Sequence, residues 1–192
     1  MTNNRRKHIK LSSFMTKILR HNPSKFGVKV DEFGYTSVSS LVESVNSQTY
    51  WEDIKSVDII DVVNSDKKRY TLSGDLIKAN YGHSFPVKHS ESELPVPNSL
   101  YHGSNKRSLD FIKNKDEGIK PMDRHRVHLS EEKDFASDAA ARRPNPILLR
   151  INTKSALRSG VVFTHAGNGV WLSTTIPPHC IAEIIEIEKN GE

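Results

Sequence analysis

The sequence has little of what stabilises small secreted proteins or spans membranes. It holds one cysteine, Cys180, in 192 residues, which excludes an internal disulfide and a cysteine-rich metal site. No apolar run approaches the roughly 20 residues that cross a bilayer. The first residues, Met1 to Lys10, are polar and basic and lack the apolar core of a secretory signal peptide. These absences predict a cytoplasmic protein. A length of 192 residues is enough for one large domain or two small ones.

Common nucleotide-binding and zinc-binding motifs are also lacking. The chain contains neither G-x-G-x-x-G nor G-x-x-x-x-G-K-[ST], so nothing supports a Rossmann or P-loop site. His125 and His128 lie three residues apart, but their number and spacing match no standard zinc finger. Two histidines around a strand are the simpler interpretation, and we predict no metal.

Positive charge is present in surplus, and it lies in the first half of the chain. The formal net charge is +5. Residues 1–90 hold 14 lysines and arginines against 9 acids, whereas residues 91–192 hold 14 of each. An excess of this size is typical of an ordinary solvated surface, although its concentration in one half also suits contact with a polyanion.

Three short basic clusters carry more specific information. They are Arg20-His21 at a predicted helix end, Lys67-Lys68-Arg69, and Arg124-His125-Arg126. Arginine forks match phosphate oxygens, and the dipole at a helix C-terminus favours a protonated histidine. Together the clusters predict a phosphate site, whereas any one of them alone is typical of ordinary surface.

The first half of the chain predicts three helices followed by a β-hairpin. Apolar residues at helical spacing from Leu11 to Leu19 predict a helix that ends near His21, because Pro23 disfavours helical geometry at Asn22. The other predicted features are a cap from Ser12 or Ser13, extended pieces over 26–35 with a turn at 31–34, a helix over 38–45 capped by Thr36 or Ser37, a helix over 51–63, and strands over 68–72 and 76–79. This order is typical of a winged-helix module, which binds nucleic acid or protein.

A polar segment with several prolines follows the hairpin. We therefore predict a winged-helix lobe over residues 1–88, a linker over 89–98 and a second lobe over 99–192. In the second lobe, strands are predicted at 99–101, 127–129, 147–151, 169–172 and 181–187, and helices at 111–115 and 132–141. This pattern predicts an α+β domain with a substantial sheet.

Two motifs of the second lobe have a plain structural interpretation. The segment Tyr101-His102-Gly103-Ser104 predicts the start of a strand that ends in a turn, where the glycine permits close approach of a ligand to the backbone. Asn168-Gly169 predicts a hairpin turn, and Trp171 predicts a core residue. Neither motif indicates a function by itself.

Seven motifs taken in order give the chain a resemblance to the tRNA/RNA 2′-phosphotransferase family, called KptA in bacteria and Tpt1 in fungi. They are Leu19-Arg20-His21-x-Pro23, Asp31-Glu32-x-Gly34-Tyr35, Asp66-Lys67-Lys68-Arg69-Tyr70, Gly82-His83-Ser84, Tyr101-His102-Gly103-Ser104, Arg124-x-x-Val127-His128-Leu129-Ser130 and Asn168-Gly169-Val170-Trp171-Leu172. The departures are small, since Ser104 stands where threonine is frequent in the family and Tyr70 where phenylalanine is frequent.

The resemblance implies a fold and a reaction. The implied fold is an N-terminal winged-helix lobe and a C-terminal ADP-ribosyltransferase-like lobe. The implied reaction transfers an internal 2′-phosphate from RNA, by the family's name from tRNA, to NAD as co-substrate. Its products are 2′-hydroxyl RNA, nicotinamide and ADP-ribose 1″,2″-cyclic phosphate. We expect RNA and NAD as partners and a monomeric protein.

The resemblance also implies roles for individual residues. The catalytic residues are Arg20, His21, Arg69 and Arg124, with Arg126 as the competing choice for the last place. The expected NAD-binding residues are His102, Gly103, Ser104, His128, Leu129, Ser130, Asn168 and Val170. The expected RNA contacts are Lys67, Lys68 and His83.

The chemistry of the implied reaction is consistent with these residue types. Val170 stands where many ADP-ribosyltransferases carry a glutamate, but a phosphate monoester is largely dianionic at pH 7 and needs no base to act as a nucleophile. In the second step His21 either protonates the leaving 2′-oxygen or only holds the phosphate. Two alternatives are an ADP-ribosyltransferase that caps terminal phosphates of RNA or DNA and a non-enzymatic winged-helix binder. The presence of all four catalytic residues disfavours the binder.

Overall fold

A computed structural model describes residues 3–51, 53–65, 69–89, 94–114 and 117–187. The chain divides into two compact units, Met1–His89 and Ser90–Glu192. Each unit has its own hydrophobic core and its own antiparallel sheet. The prediction of a mixed α and β protein is therefore confirmed.

The first unit packs three helices against a small sheet. Its elements are α1 (Asn3–Arg20), β1 (Thr36–Ser37), α2 (Val38–Asn46), α3 (Ser56–Ser65), β2 (Tyr70–Ser73) and β3 (Leu76–Ala79), with a short 3₁₀ turn at Ser24–Phe26. The strand order is β1-β3-β2, with β3 in the centre. The predicted hairpin is confirmed, whereas the two-residue β1 was too short for its sequence pattern to be recognised.

Helix α1 forms as its apolar spacing predicts but begins earlier. Leu11, Met15 and Ile18 are fully buried on one face of the helix. Since α1 starts at Asn3, Ser12 lies inside the helix and its predicted role as a cap is wrong, as is that of Ser13. The Ser12 carbonyl instead accepts hydrogen bonds from the hydroxyls of Thr16 and Tyr70. The basic residues before Leu11 extend the helix, because lysine and arginine favour helices without any apolar pattern.

The second predicted helix is confirmed and the third begins later than expected. The Ser37 hydroxyl accepts the backbone N–H of Ser40 at 3.1 Å and caps α2. Helix α3 starts at Ser56 rather than Trp51. The side chain of Asn46 both donates to and accepts from the backbone of Ile54, and these bonds hold the preceding segment as a loop.

Residues 26–35 contain a tight turn and form no strand. The Asp31 carboxylate accepts the backbone N–H groups of Phe33 and Tyr35. Gly34 has φ +82° and donates its N–H to the Asp31 carbonyl. The predicted turn at 31–34 is therefore confirmed, but no strand is present in this segment, because the Asp31 side chain competes for the backbone donors that a strand would use.

The second unit is built on a six-stranded antiparallel sheet of order β7-β8-β5-β4-β6-β9. Its elements are β4 (Ser99–Asn105), α4 (Lys106–Leu109), a π-helical turn at Asp110–Asn114, β5 (Val127–Ser130), α5 (Lys133–Ala141), β6 (Pro146–Asn152), α6 (Thr153–Arg158), β7 (Phe163–Gly167), β8 (Val170–Ser173), a 3₁₀ turn at Pro178–Cys180 and β9 (Ile181–Glu186).

Gly103 lies within β4 and not at the strand end where the sequence placed it. It pairs with Leu148 in the middle of the β4–β6 ladder. A Cβ atom at this position would lie 2.5 Å from the carbonyl oxygen of Ala136 and 3.1 Å from Cβ of Ala140. The backbone that approaches this glycine therefore belongs to α5, and helix packing accounts for the residue.

The turn between β7 and β8 is the one that the sequence predicts. Asn168 and Gly169 have φ of +51° and +72°, the pair of positive values that a type I′ turn requires. Trp171 is 2% exposed, so its prediction as a core residue is confirmed. Within the described part of the chain, no helix is long and apolar enough to cross a membrane.

Candidate functional site

Arg20 is the last residue of α1, and its charge is buried. The residue is 8% exposed, and its guanidinium carbon lies 4.6 Å from the centre of the Tyr81 ring. Nε and Nη2 are buried without a hydrogen-bond partner, and among the described residues Arg20 makes no ion pair. Buried donors without partners cost free energy, and charged ones cost more. This environment favours an anion that would accept both N–H groups.

The Gly82-His83-Ser84 segment is fixed against the end of α1. The Ser84 N–H donates to the Arg20 carbonyl at 2.9 Å, which satisfies one of the open carbonyls at the helix end. Gly82 has φ +88°, and a Cβ atom there would lie 3.2 Å from both Cδ and Nη1 of Arg20. The motif that contains Arg20 and the motif that contains Ser84, 64 residues later, are therefore in contact.

A second cation lies near Arg20. Burial is the largest effect that lowers the pKa of Arg20 from its ordinary value, and the charge of Arg69 lowers this pKa further. The phenol of Tyr81 acts in the opposite direction. An arginine stays charged despite such shifts. Arg69 follows directly on the undescribed residues 66–68, and Nη1 of Arg69 lies 3.5 Å from Oγ of Ser12, at the limit of a hydrogen bond.

His83 adds a neutral hydrogen-bonding group to this cluster. Burial lowers its pKa to about 3, and the charges of His89, Arg20, Lys78 and His21 lower it in the same direction. Its Nε2 is buried without a hydrogen-bond partner. His83 is therefore uncharged at pH 7 and can bind a ligand through a hydrogen bond but not through charge.

Of the other predicted site residues in the first unit, the structure describes His21 but not Lys67 and Lys68. His21 directly follows α1 and is exposed, at the helix end where the sequence placed it. Lys67 and Lys68 lie outside the described residues. The first unit therefore brings together Arg20, Arg69, His83 and the position of His21, and we call this set the arginine cluster.

In the second unit, Arg124 is bonded to a predicted site residue. Nη1 of Arg124 lies 3.3 Å from Nδ1 of His128, and since a guanidinium only donates, the imidazole nitrogen accepts. Arg124 is exposed, whereas Arg126 is half-buried with an Nη1 atom that has no hydrogen-bond partner. The two arginines considered for one catalytic place thus have different surroundings.

His102 is held in a neutral form. Its Nδ1 donates to the carbonyl oxygen of His128 at 2.8 Å. Burial lowers the pKa of His102, the charges of Arg143 and Arg124 lower it further, and the hydrogen bond to His128 raises it in part. With the proton on Nδ1, Nε2 is an acceptor that suits a hydroxyl donor such as a ribose hydroxyl.

The predicted NAD-binding residues do not share one face of the sheet. Ser130 is paired with both Tyr101 and Val170, which places these three on one face. Since side chains alternate along a strand, His102, Ser104 and Leu129 lie on the opposite face. The residues that are buried in the packing of the sheet are Ser104, Leu129, Ser130 and Val170. Asn168 is exposed at the tip of the β7–β8 hairpin.

The sequence patterns did not identify two residues, Tyr81 and Glu131, that make contacts at the predicted site motifs. Tyr81 contacts Arg20, and Glu131 accepts the indole N–H of Trp171 at 2.7 Å while its own N–H donates to the Gly169 carbonyl. Glu131 thereby joins the end of β5 to the Asn168–Gly169 turn. Both residues are adjacent to motifs, but a contact between distant segments leaves no periodic signal in the sequence.

Comparison with known proteins places this geometry in a family. Residues 6–175 match the model of the family described as "RNA 2'-phosphotransferase, Tpt1 / KptA family". A protein of Bacillus thuringiensis subsp. konkukian named "Probable RNA 2'-phosphotransferase" is 37% identical over 98% of this chain and 100% of its own length. Proteins of the same name from Streptomyces griseus and Thermococcus kodakarensis are 35% and 36% identical, each over 90% of this chain and over 95% and 94% of their own lengths.

The family match covers both units, including the arginine cluster and the His102–His128 pair. The resemblance inferred from the seven motifs is thus confirmed by independent comparisons along the chain. This protein belongs to the RNA 2′-phosphotransferase family of Tpt1 and KptA.

Proposed function

We propose that this protein is an NAD-dependent RNA 2′-phosphotransferase with a winged-helix first unit and an ADP-ribosyltransferase-like second unit. The observation that carries the proposal is the pair of buried N–H groups of Arg20 without partners, beside a second arginine. A dianionic phosphate would satisfy these donors and offset the two positive charges. RNA bearing an internal 2′-phosphate, as in tRNA, supplies such a group.

In the first proposed step, an oxygen of the RNA 2′-phosphate attacks C1″ of the nicotinamide ribose. A phosphorus–oxygen–C1″ linkage forms, the bond to the nicotinamide nitrogen breaks, and nicotinamide leaves as a neutral molecule. Val170 cannot act as a base, and the dianion needs none. The contribution of the protein is to orient the phosphate, which Arg20 and Arg69 are suited to do through fixed donors.

In the second proposed step, the 2″-hydroxyl gives up its proton to water as its oxygen attacks phosphorus, and the RNA 2′-oxygen leaves. The products are 2′-hydroxyl RNA and ADP-ribose 1″,2″-cyclic phosphate. Negative charge grows on the phosphate oxygens, where fixed cations lower the barrier. We assign this stabilisation to Arg20, Arg69 and Arg124 and assign the proton for the leaving 2′-oxygen to His21, which is exposed at the end of α1.

NAD takes part as a second substrate, and the second unit offers groups that fit it. His102 is neutral with Nε2 as an acceptor, which is suited to a ribose hydroxyl. His128 is fixed by the Arg124 guanidinium at 3.3 Å. Asn168 is another predicted NAD contact, and its side chain is exposed rather than buried in the sheet. We propose that His102 and Asn168 bind NAD and that His128 orients His102 through its carbonyl oxygen. The buried Ser104, Leu129 and Val170 support these side chains.

The test is incubation of the protein with NAD and a short RNA that carries one internal 2′-phosphate. We expect release of nicotinamide and ADP-ribose 1″,2″-cyclic phosphate together with RNA that has lost its phosphate. The matched control is the same RNA without the 2′-phosphate, which should release no nicotinamide.

Other results would contradict the proposal in distinct ways. A stable ADP-ribosylated RNA, or reaction only at a terminal phosphate, would indicate a capping ADP-ribosyltransferase. Tight RNA binding without turnover in any of these mixtures would indicate a nucleic-acid binder.

A further inference from the structure

Tyr81 occupies a position that neither the motifs nor the proposed chemistry uses. It lies two residues after the end of β3, between Asn80 and Gly82. The residue is 9% exposed, and its ring centre lies 4.6 Å from the Arg20 guanidinium carbon. A cation at this distance from an aromatic face is attracted by the ring, more strongly where water is excluded.

The segment that carries Tyr81 also fixes both arginines of the cluster. The Asn80 N–H donates to the Arg69 carbonyl at 2.9 Å, and the Asn80 side chain accepts the Thr71 hydroxyl at 2.7 Å. On the other side, Ser84 donates to the Arg20 carbonyl. Tyr81 therefore lies between two anchors, one on each arginine, and its ring has little freedom to leave Arg20.

The face of a guanidinium and its edge have different uses. Tyr81 contacts the Arg20 guanidinium through its ring and a side-chain hydrogen bond, yet Nε and Nη2 of Arg20 have no hydrogen-bond partner. Those edge donors are the ones that bind phosphate oxygens in a bidentate manner. An aromatic ring can thus hold the charge in place while the donors stay available, which a carboxylate partner would not allow.

We propose that Tyr81 is a positioning residue that holds the Arg20 guanidinium with Nε and Nη2 directed to the phosphate of the substrate. The proposal rests on the proposed function, since it assumes that Arg20 binds the transferred phosphate. It adds that affinity for a ribose 2′-phosphate depends on two contacts of Tyr81 with Arg20, the aromatic ring on the guanidinium and a side-chain hydrogen bond, with the ring as the larger contribution.

The simpler interpretation is that Tyr81 only fills space in the first unit. It predicts that loss of the ring lowers the melting temperature and leaves affinity for the phosphate unchanged. A positioning role predicts the converse pattern, in which the folded protein binds phosphate less well. The two roles are therefore separated by a binding measurement on folded protein.

The experiment compares Tyr81→Phe and Tyr81→Leu with the wild type. Binding of adenosine 2′-monophosphate is measured by calorimetry, KM and kcat are measured with 2′-phosphorylated RNA, and the melting temperature of each variant is recorded. We expect Y81L to bind the nucleotide about tenfold more weakly, which corresponds to about 1.4 kcal/mol and lies within the range of buried cation–π contacts. Its KM for RNA should rise with an unchanged KM for NAD, and Y81F, which keeps the ring but loses the side-chain hydrogen bond, should lie between Y81L and the wild type.

Tyr35→Leu is the matched control. The Tyr35 ring makes the same kind of contact at the same 4.6 Å, but with Lys78. Its loss should change affinity for adenosine 2′-monophosphate less than about twofold, a difference of about 0.4 kcal/mol. If Y81L does not fold, Tyr81→Met offers the same test, because methionine fills irregular space without an aromatic face.

The inference and the proposed function fail in different ways. Wild-type affinity in folded Y81L, or equal loss in Y81F and Y81L, would overturn the role of the ring while the wild-type enzyme still turns over RNA. Absence of 2′-phosphate transfer by the wild type would overturn the proposed function, and the nucleotide titration would still report on the contact between Tyr81 and Arg20.

Discussion

The two units present their polar groups in different ways. In the first, Arg20 is 8% exposed and two of its donors have no partner. In the second, the exposed Arg124 donates to His128, and the His128 carbonyl in turn accepts from His102. The first unit thus keeps a buried cation with two open donor nitrogens, whereas in the second unit Arg124, His128 and His102 are linked by hydrogen bonds and one nitrogen of Arg126 stays open. From this difference we expect the first unit to bind an anion strongly and the second unit to orient hydroxyl groups.

The largest expected effect follows from removal of the buried cation. Arg20→Met should lower kcat for 2′-phosphorylated RNA by about 10²–10³, the usual loss for one fixed donor to a developing negative charge. Its melting temperature should stay equal or rise, because a buried charge without a counter-charge is costly to the folded state. Activity assays and thermal denaturation check both results, with the exposed Arg158→Met as control. Retained activity would contradict the assignment of Arg20.

The corresponding change in the second unit should be smaller. Arg124→Met removes the donor to His128, and we expect kcat to fall by about 10² with the free energy of unfolding within about 0.5 kcal/mol of wild type, since the residue is exposed. Steady-state kinetics and urea denaturation measure the two. Arg126→Met is the comparison, and a greater loss of kcat in that variant would assign the catalytic place to Arg126.

Part of the dependence of stability on pH should come from His83, the buried histidine of the first unit. The folded pKa of His83, about 3, is depressed below the ordinary value of 6.5, so the unfolded chain binds more protons between these values. Stability therefore falls as pH drops below about 6.5, by up to about 1.4 kcal/mol per pH unit. Denaturation at pH 7 to 4 should show a shallower slope in His83→Gln than in wild type.

An unchanged slope in His83→Gln would show that His83 is not held neutral in the folded protein. His102 has a pKa lowered in the same direction and should account for part of the slope that remains.

The smallest expected effect separates backbone strain from contact with Arg20. Gly82→Ala and Gly27→Ala both place a side chain at positive φ, which costs about 1–2 kcal/mol. At Gly27 nothing lies within 4 Å of the new Cβ, whereas at Gly82 it would lie 3.2 Å from Arg20. We expect Gly82→Ala to lose about 1 kcal/mol more stability and also to bind adenosine 2′-monophosphate more weakly. Equal losses and unchanged binding would exclude a role of Gly82 in shaping the site.

Much of the local structure follows from short patterns. The Leu11–Leu19 spacing, the Ser37 cap and the Asn168–Gly169 turn were predicted because each depends on neighbouring residues alone. The predicted start of α3 at Trp51 was wrong. The helix begins later because hydrogen bonds between Asn46 and Ile54, which lie in different segments, hold the residues before it in a loop. The predicted place of Gly103 at the end of a strand was wrong, since it lies inside β4 with α5 packed on it.

The sequence by itself determined the helices, the hairpins, the order of the motifs and hence the family, because these depend on local backbone preferences and on residue identity. Only the tertiary structure decided that Arg20 is buried under Tyr81, that His83 is neutral, and that His102 and His128 are bonded. These properties arise from exclusion of water and from contacts between distant segments. Neither leaves a periodic trace in the chain, since burial of a polar group is fixed only when the core closes around it.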